Sequence, residues 1–203
     1  MIEILNCPFG HEIKDDLINW FKLEKQNKAS GLVLKSKEYN EPDTPEIKRL
    51  FDWIEGEIPN VAIKLAQNSN SLFNTEQRRN TANFKIDAYW GLYYNPNSFV
   101  YPHTHFPHAL SFGYYINVPI GSSAFSLLNE SKETDFYPKE GQLFVFDSSL
   151  LHVVNPSPVA PDYIEASGGT ETTYAPSPTV KYKVHSFLTL IHPMTQLYTQ
   201  YSY

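Results

Sequence analysis

The sequence predicts a mainly β (α+β) fold in which N-terminal helices support a sandwich-like or barrel-like β core. Apolar residues recur at helical spacing in the N-terminal part, and from Phe84 onward they fall into short extended runs separated by turns. The aromatic content of 15%, with 14 Tyr and 13 Phe, favours strands. We expect one domain over residues 1–203, with a helical support region at 1–80 and the β core at 81–192.

The N-terminal region begins with a short strand and continues into helices. Residues 1–7 alternate in polarity, and residues 12–28 place apolar side chains at close to helical spacing. A second helix is predicted to start at residues 43–46, where Asp and Thr precede a proline in the first turn. We expect this helix to end near Gly56 and a further helix to lie within residues 58–73.

The β core is predicted from a change in periodicity. β-branched and aromatic residues replace the helical pattern, and clusters of Asn, Pro, Gly and Ser mark the turns. The predicted strands are residues 84–94, 99–105, 110–118, 124–128, 141–147 and 180–192.

One segment of the core region has a different composition. Residues 156–179 are rich in Pro, Ser, Thr and Gly. Such a composition is typical of a long surface loop, so we expect this segment to be mobile or to fold over the functional site.

Composition excludes several classes of function. The net charge of −6 and the lack of a basic stripe argue against a nucleic-acid partner, because phosphate binding needs clustered Lys and Arg. Cys7 is the single cysteine, which rules out an intramolecular disulfide and favours a reducing compartment. No signal peptide pattern and no run of 18 apolar residues is found, so we expect a cytoplasmic protein without a membrane span.

Three histidines are candidates for metal binding. Side chains alternate along an extended segment, so His103 and His105 should share one face and could hold one metal ion. Imidazole suits Fe, Zn, Cu and Ni, which leaves the metal open. His152 follows a buried strand and its turn, and it is the best candidate for a third ligand. The alternatives are polar residues at a strand end for the pair and a capped loop histidine for His152.

The run from residue 90 to residue 187 resembles the core of the Fe(II)- and 2-oxoglutarate-dependent oxygenases. Within that superfamily it is most similar to prolyl-4-hydroxylase-like enzymes and to phage and marine-bacterial oxygenases. The resemblance rests on four stretches in the family's order: WGLYYNPNSFVYPHTH, LSFGYYINVP, PKEGQLFVFDSSLLH and VKYKVHSF.

This resemblance implies a double-stranded β-helix (a jelly roll, as in cupins) and an oxidoreductase of the dioxygenase type. Such an enzyme uses Fe(II) and 2-oxoglutarate and hydroxylates a substrate with release of succinate and CO2. The substrate is not identified and could be a small molecule or a peptide. Trp90, Tyr93 and the segment 156–179 would lie on the substrate side by position. Homodimers are common for this fold.

The resemblance also assigns the metal ligands. His103 matches the first iron ligand of the family and His152 the distal one. His105 stands where most members carry Asp or Glu, so a three-histidine site is the main departure. If His105 is not the ligand, Asp87 or Asp147 could supply a carboxylate.

The cosubstrate site is carried over in the same way. In the family a buried cation, usually Arg, binds the far carboxylate of 2-oxoglutarate, and here Lys181 and Lys183 share a face of the last predicted strand. Tyr115 matches a tyrosine that hydrogen-bonds the same carboxylate, and Asn117 lies in its row.

Two other functions are open at the level of sequence. A cupin-type metalloprotein without 2-oxoglutarate would explain Pro138, Gly141, His152 and Asn155, although the Glu expected after the first histidine pair is missing. A non-enzymatic binding module on the same fold would explain the histidine in place of Asp and the missing arginine.

Overall fold

The computed structural model describes residues 1–23, 27–28, 33–67, 82–106, 108–129, 132–156 and 163–174. No helix in this part of the chain is both long and apolar enough to cross a bilayer. The elements in chain order are β1 (Ile2–Asn6), α1 (Gly10–Leu23), β2 (Asn27–Lys28), β3 (Leu34–Lys35), α2 (Pro45–Gln67), β4 (Ala82–Tyr94), β5 (Val100–His103), β6 (Leu110–Asn117), β7 (Phe125–Asn129), β8 (Lys132–Phe136), β9 (Gln142–Asp147), β10 (His152–Val154) and β11 (Tyr163–Tyr174).

The strands form two antiparallel sheets that face each other. The large sheet has the order β1-β9-β6-β11-β4-β3-β2, and the small sheet has the order β5-β10-β7-β8. Apolar side chains from both sheets fill the space between them, which gives the predicted double-stranded β-helix. This inter-sheet cluster comprises Val33, Trp90, Leu92, Tyr94, Val100, Tyr115, Phe125, Phe144, Phe146 and Val154.

The two helices cover the other face of the large sheet. Leu17 and Phe21 of α1 and Ile54 of α2 pack with Tyr89 and Tyr114 of the sheet in a second core cluster. The large sheet is therefore buried on both faces. The predicted N-terminal support helices are confirmed as α1 and α2, and they leave the inter-sheet space to the functional site.

The side chains of strand β4 alternate between the two core clusters. Tyr89 and Tyr93 pack with the helices, whereas Trp90 points into the inter-sheet cluster. The Tyr93 ring stacks on Phe21 with ring centroids 6.1 Å apart. Tyr93 therefore lies in the helical layer, and our expectation that it faces the substrate was wrong, because side chains alternate along the strand.

Helix α2 begins at Pro45 as predicted, with the Thr44 hydroxyl accepting a hydrogen bond from the Ile47 N–H at 3.2 Å. The expected end near Gly56 and the separate helix after Pro59 were wrong, because one helix runs through both. Pro59 lies on the exposed side, where water can solvate the carbonyl that loses its partner. Continuity of the apolar face outweighs the proline; the residues of this face are Ile54, Ile58, Val61 and Leu65.

The segment 156–179 differs most from expectation. Residues Tyr163–Tyr174 form β11, which pairs with β4 on one side and β6 on the other. A central strand at this place satisfies the backbone groups of both neighbours, and this need outweighs the loop-like composition. The other residues predicted for this loop, apart from Pro156, and the predicted strand at 180–192 lie outside the described residues.

We predict that Gly91→Ala lowers the free energy of unfolding by about 1–3 kcal/mol, the usual cost of overpacking a core. A β-carbon at Gly91 would overlap the Phe21 ring and lie 3.1 Å from the Trp20 ring, and Phe21 is fully buried. Urea unfolding followed by circular dichroism measures the change.

The matched control is Gly56→Ala in the exposed part of α2, where a β-carbon meets no heavy atom within 4 Å. This change should raise stability by about 0.5–1 kcal/mol, since alanine favours the helix. Equal urea midpoints for Gly91→Ala and the wild type would contradict the packing described here.

Candidate metal centre

Three imidazoles meet between the sheets. His103 ends β5, His152 begins β10, and the antiparallel pairing of these strands sets the two residues opposite each other. His105 joins them from the segment just after β5. The possible ligand atoms of the three side chains all lie within 4.8 Å of one another. The predicted trio is thus brought together, and the structure explains how residues 47 positions apart become neighbours.

Backbone carbonyls orient two of the rings. Nδ1 of His103 donates to the Tyr101 carbonyl at 2.7 Å, and Nδ1 of His152 donates to the Leu150 carbonyl at 2.8 Å. A carbonyl can only accept, so the proton sits on Nδ1 and the lone pair on Nε2. Carbonyl partners of this kind commonly fix metal-binding histidines.

His105 is held by its own backbone. Its N–H donates to the Ser148 carbonyl at 2.6 Å, in the turn that leads to His152. The Ser148 hydroxyl in turn lies 2.6 Å from the Ser111 hydroxyl. These contacts present the ring so that Nε2 of His105 lies 3.1 Å from Nε2 of His152.

Burial controls the protonation of the cluster. His152 is 0% and His105 4% exposed. Desolvation lowers the pKa of His103 to about 4 and holds the pKa values of His105 and His152 well below the ordinary range. Repulsion from His152 is a further cause for His105, and repulsion from His103 is a further cause for both. All three rings are therefore neutral at pH 7, the form that binds metal ions.

The donor set fits a metal ion. Two nitrogens, each about 2.1 Å from a metal and at a right angle to each other, would be about 3.0 Å apart. The Nε2 atoms of His105 and His152 are 3.1 Å apart. Three neutral imidazole nitrogens suit a first-row transition metal.

The two alternative carboxylates are not members of this cluster. Asp147 accepts hydrogen bonds from the Ser149 N–H at 2.9 Å and the Ser149 hydroxyl at 2.7 Å, so it caps a turn. Asp87 lies in β4 where the pairing with β11 skips a residue. His105 is thus the third residue that the structure brings to the two strand histidines.

Aromatic rings wall the cluster. The Phe125 ring stacks on His152 at 5.3 Å between centroids, and Phe146 meets it edge-on at 4.9 Å. The sequence predicts both phenylalanines only as strand residues. The signal available was their alternation in predicted strands, but contact with His152 depends on pairing between distant segments.

Of the four predicted cosubstrate residues, the structure describes Tyr115 and Asn117. Tyr115 is 1% exposed and packs edge-on against Phe144 in the inter-sheet cluster, whereas Tyr114 faces the helices. Asn117 ends β6 and is partly buried. Lys181 and Lys183 lie outside the described residues, so their role stays a prediction.

Lys35 of β3 is a charged residue that sequence reasoning missed. Its side chain is 12% exposed, and its Nζ lies 3.6 Å from a Glu38 carboxylate oxygen. Desolvation lowers the pKa of Lys35 to about 8, and the charge of Lys35 contributes to the lowered pKa of His105. The sequence around Lys35 gives no sign of this, since its neighbours come from the pairing of β3 with β4.

Comparison with known proteins identifies the fold. No family model matches the chain, and no curated protein matches its sequence. Among solved structures, an oxidoreductase of the 2OG-Fe(II) oxygenase family from Burkholderia pseudomallei is 10% identical, covers 83% of each chain and has a TM-score of 0.61. A prolyl-4-hydroxylase from Pseudomonas putida is 14% identical, covering 83% of this chain and 91% of its own, with a TM-score of 0.60.

A third structure, HygX from Streptomyces hygroscopicus with nickel and 2-oxoglutarate bound, is 11% identical. The alignment covers 90% of this chain and 92% of HygX, with a TM-score of 0.56. At these identities the likeness establishes the fold. The double-stranded β-helix predicted from the sequence is confirmed.

We predict that the metal-free protein loses stability as the pH falls from about 6.5 to about 4, and that His103 alone accounts for about 3 kcal/mol of this loss. Between these pH values His103 takes up a proton in the unfolded chain but stays neutral in the folded chain, so a lower pH favours unfolding. Urea unfolding at pH 7 and pH 4 measures the loss.

In His103→Gln the loss of stability between pH 7 and pH 4 should be smaller by the contribution of His103, because glutamine does not titrate. His11→Ala, which removes an exposed histidine on α1, should behave as the wild type. An unchanged pH dependence in His103→Gln would contradict the described burial of this ring.

Proposed function

We propose that the protein is a non-haem Fe(II)- and 2-oxoglutarate-dependent oxygenase, which hydroxylates its substrate and releases succinate and CO2. The observation that carries this proposal is the cluster of three neutral, desolvated imidazoles between the two sheets. Support comes from the fold, which the chain shares with structures whose names include 2-oxoglutarate and iron. The substrate is proposed to be a small molecule or a peptide.

The ligands of the iron would be His103, His105 and His152. When bound, Fe(II) supplies the redox chemistry with O2 and the coordination positions for the keto acid. The residues of the chain would orient the ligands and exclude water. The carbonyls of Tyr101 and Leu150 keep the Nδ1 protons in place, and the aromatic walls keep water away from the metal.

The cosubstrate residues of the proposal are Tyr115, Asn117, Lys181 and Lys183. A buried tyrosine in the inter-sheet cluster can donate a hydrogen bond to a carboxylate, which supports Tyr115. The single cysteine and the net charge of −6 support the further proposals of a cytoplasmic location and of a substrate other than nucleic acid. A homodimer is proposed by analogy of fold alone.

We predict that Fe(II) added to the metal-free protein under anaerobic conditions gives a visible charge-transfer band only when 2-oxoglutarate is also present. The band reports the keto acid chelating a metal that the histidines hold. His103→Ala and His152→Ala should abolish it, because each removes a ligand, and both variants should fail to form succinate. Absorption spectroscopy and a succinate assay provide the two measurements.

The matched control is His11→Ala, which removes an exposed histidine and should leave the band unchanged. Fe(II) binding without a band would favour the cupin-type metalloprotein instead. Absence of Fe(II) binding in a folded protein would contradict the oxygenase proposal and favour the non-enzymatic binding module.

The cupin-type alternative rests on the three-histidine cluster, although its expected glutamate is also absent from this cluster among the residues that the structure describes. Non-haem oxygenases commonly use two histidines and one carboxylate. In the cupin-type interpretation the Asn155 side chain, which donates to the Glu133 carboxylate at 2.6 Å, belongs to a second sequence motif near His152. Such a protein would bind metal with the same affinity whether or not 2-oxoglutarate is added.

We predict that His105→Asp retains Fe(II) binding, whereas His105→Ala weakens it by more than the roughly 10–100-fold typical of losing an outer-shell partner. Aspartate restores a ligand and gives the usual set of two histidines and one carboxylate. Competition with a chromophoric chelator measures both affinities. If both variants bind Fe(II) as the wild type does, His105 is not a ligand.

A further inference from the structure

Lys35 points into the space between the sheets. Strand β3 pairs with β4 so that Lys35 lies opposite Leu92, and Leu92 is fully buried in the inter-sheet cluster. Val33, two residues before Lys35 and hence on the same face, belongs to that cluster as well. An ammonium group therefore lies on the face of β3 that lines the same interior as the histidines.

Trp90 fixes the position of this ammonium group. The Lys35 Nζ lies 3.9 Å from the centroid of the Trp90 ring, which is fully buried. A cation over an indole face is attracted by the ring quadrupole, more strongly where water is excluded. Lys37 provides a contrast, since it is exposed and its Nζ lies 4.4 Å from the Tyr39 ring.

The charge of Lys35 reaches the histidine cluster. It is one of the causes of the lowered pKa of His105, so the two groups share a region where charges are weakly screened. Glu38 forms a salt bridge with Lys35 at 3.6 Å from a more exposed position, with 30% of its side chain accessible. A partly desolvated cation so placed strongly favours an anionic ligand.

We propose that Lys35 binds a carboxylate group of the primary substrate beside the histidine cluster, and so selects acidic substrates. The inference rests on the proposed function only in placing this substrate beside the metal. The far carboxylate of 2-oxoglutarate is proposed to bind Lys181 or Lys183, and the experiment separates the two carboxylates.

The test is equilibrium binding followed by tryptophan fluorescence, because the Trp90 ring lies under the ammonium group. Two probes are used: glutarate with the metal-free protein, and 2-oxoglutarate with the Ni(II)-loaded protein. Lys35→Met keeps the apolar stem and removes the charge, and it should weaken glutarate binding by about 10- to 100-fold, as expected for a charge-assisted hydrogen bond. Lys35→Arg should restore most of the affinity.

The matched control is Lys37→Met, which removes a lysine from the same segment and should change neither affinity. Melting temperatures establish that each variant is folded. If Lys35→Met does not fold, the pH dependence of the wild type and of Lys35→Arg decides.

Carboxylate affinity of the wild type should fall as the pH rises through about 8, the value to which burial lowers the pKa of Lys35. Lys35→Arg should keep its affinity there, because arginine stays charged. Among the residues that the structure describes, Glu38 and His105 are the titratable groups known to interact with Lys35. Both groups are unchanged in Lys35→Arg. A fall of carboxylate affinity with pH that only the wild type shows is therefore due to the titration of Lys35.

The source of the carboxylate follows from a third measurement. A loss of 2-oxoglutarate affinity in Lys35→Met would overturn the inference, because Lys35 would then belong to the cosubstrate site. Unchanged 2-oxoglutarate affinity, with weaker binding of glutarate to the protein saturated with Ni(II) and 2-oxoglutarate, assigns it to the primary substrate. If a folded Lys35→Met binds both probes as the wild type does, the inference is overturned. Binding of glutarate needs no metal, so this result is independent of Fe(II) binding.

Discussion

Desolvation of three imidazoles between two sheets is the constraint on which the site depends. A protonated imidazole in this interior would be costly, so each ring must stay neutral and each Nδ1 or backbone group must find a partner. For His103 and His152 this partner is local, because each Nδ1 donates a hydrogen bond to the backbone carbonyl two residues earlier. The pairing of β5 with β10 then supplies the nonlocal part, since it sets these two histidines opposite each other.

The large sheet is constrained by burial in a similar way, through the alternation of its side chains. Tyr114 and Tyr115 are neighbours, but Tyr114 packs under the helices and Tyr115 packs against Phe144 between the sheets. A slip of one residue would exchange the two faces along the whole strand. Burial of both faces therefore fixes the register of β6, and that register determines which aromatic side chains line the cavity.

Local features of the sequence were enough to predict much of this architecture. The strand at the N-terminus, the start of α2 at Pro45 and the approach of His103, His105 and His152 all followed from spacing, turn residues and the family resemblance. The errors had nonlocal causes. Tyr163–Tyr174 looks like a loop by composition, but two neighbouring strands need its backbone groups. Likewise, Pro59 does not end α2, because the apolar face of the helix continues beyond it.

The histidine at position 105 and the lysine at position 35 have consequences for each other. With an aspartate at 105, a negative ligand would offset part of the charge of a divalent metal, and it would also attract the Lys35 ammonium. With a neutral His105, a bound divalent metal would keep its full charge, and the nearby ammonium would add to the positive potential beside it. Both residues therefore favour an anion, in a chain whose net charge is −6. In the proposed enzyme, histidine instead of a carboxylate at position 105 would thus be more than a change of donor atom, because the metal and Lys35 would together favour an acidic ligand.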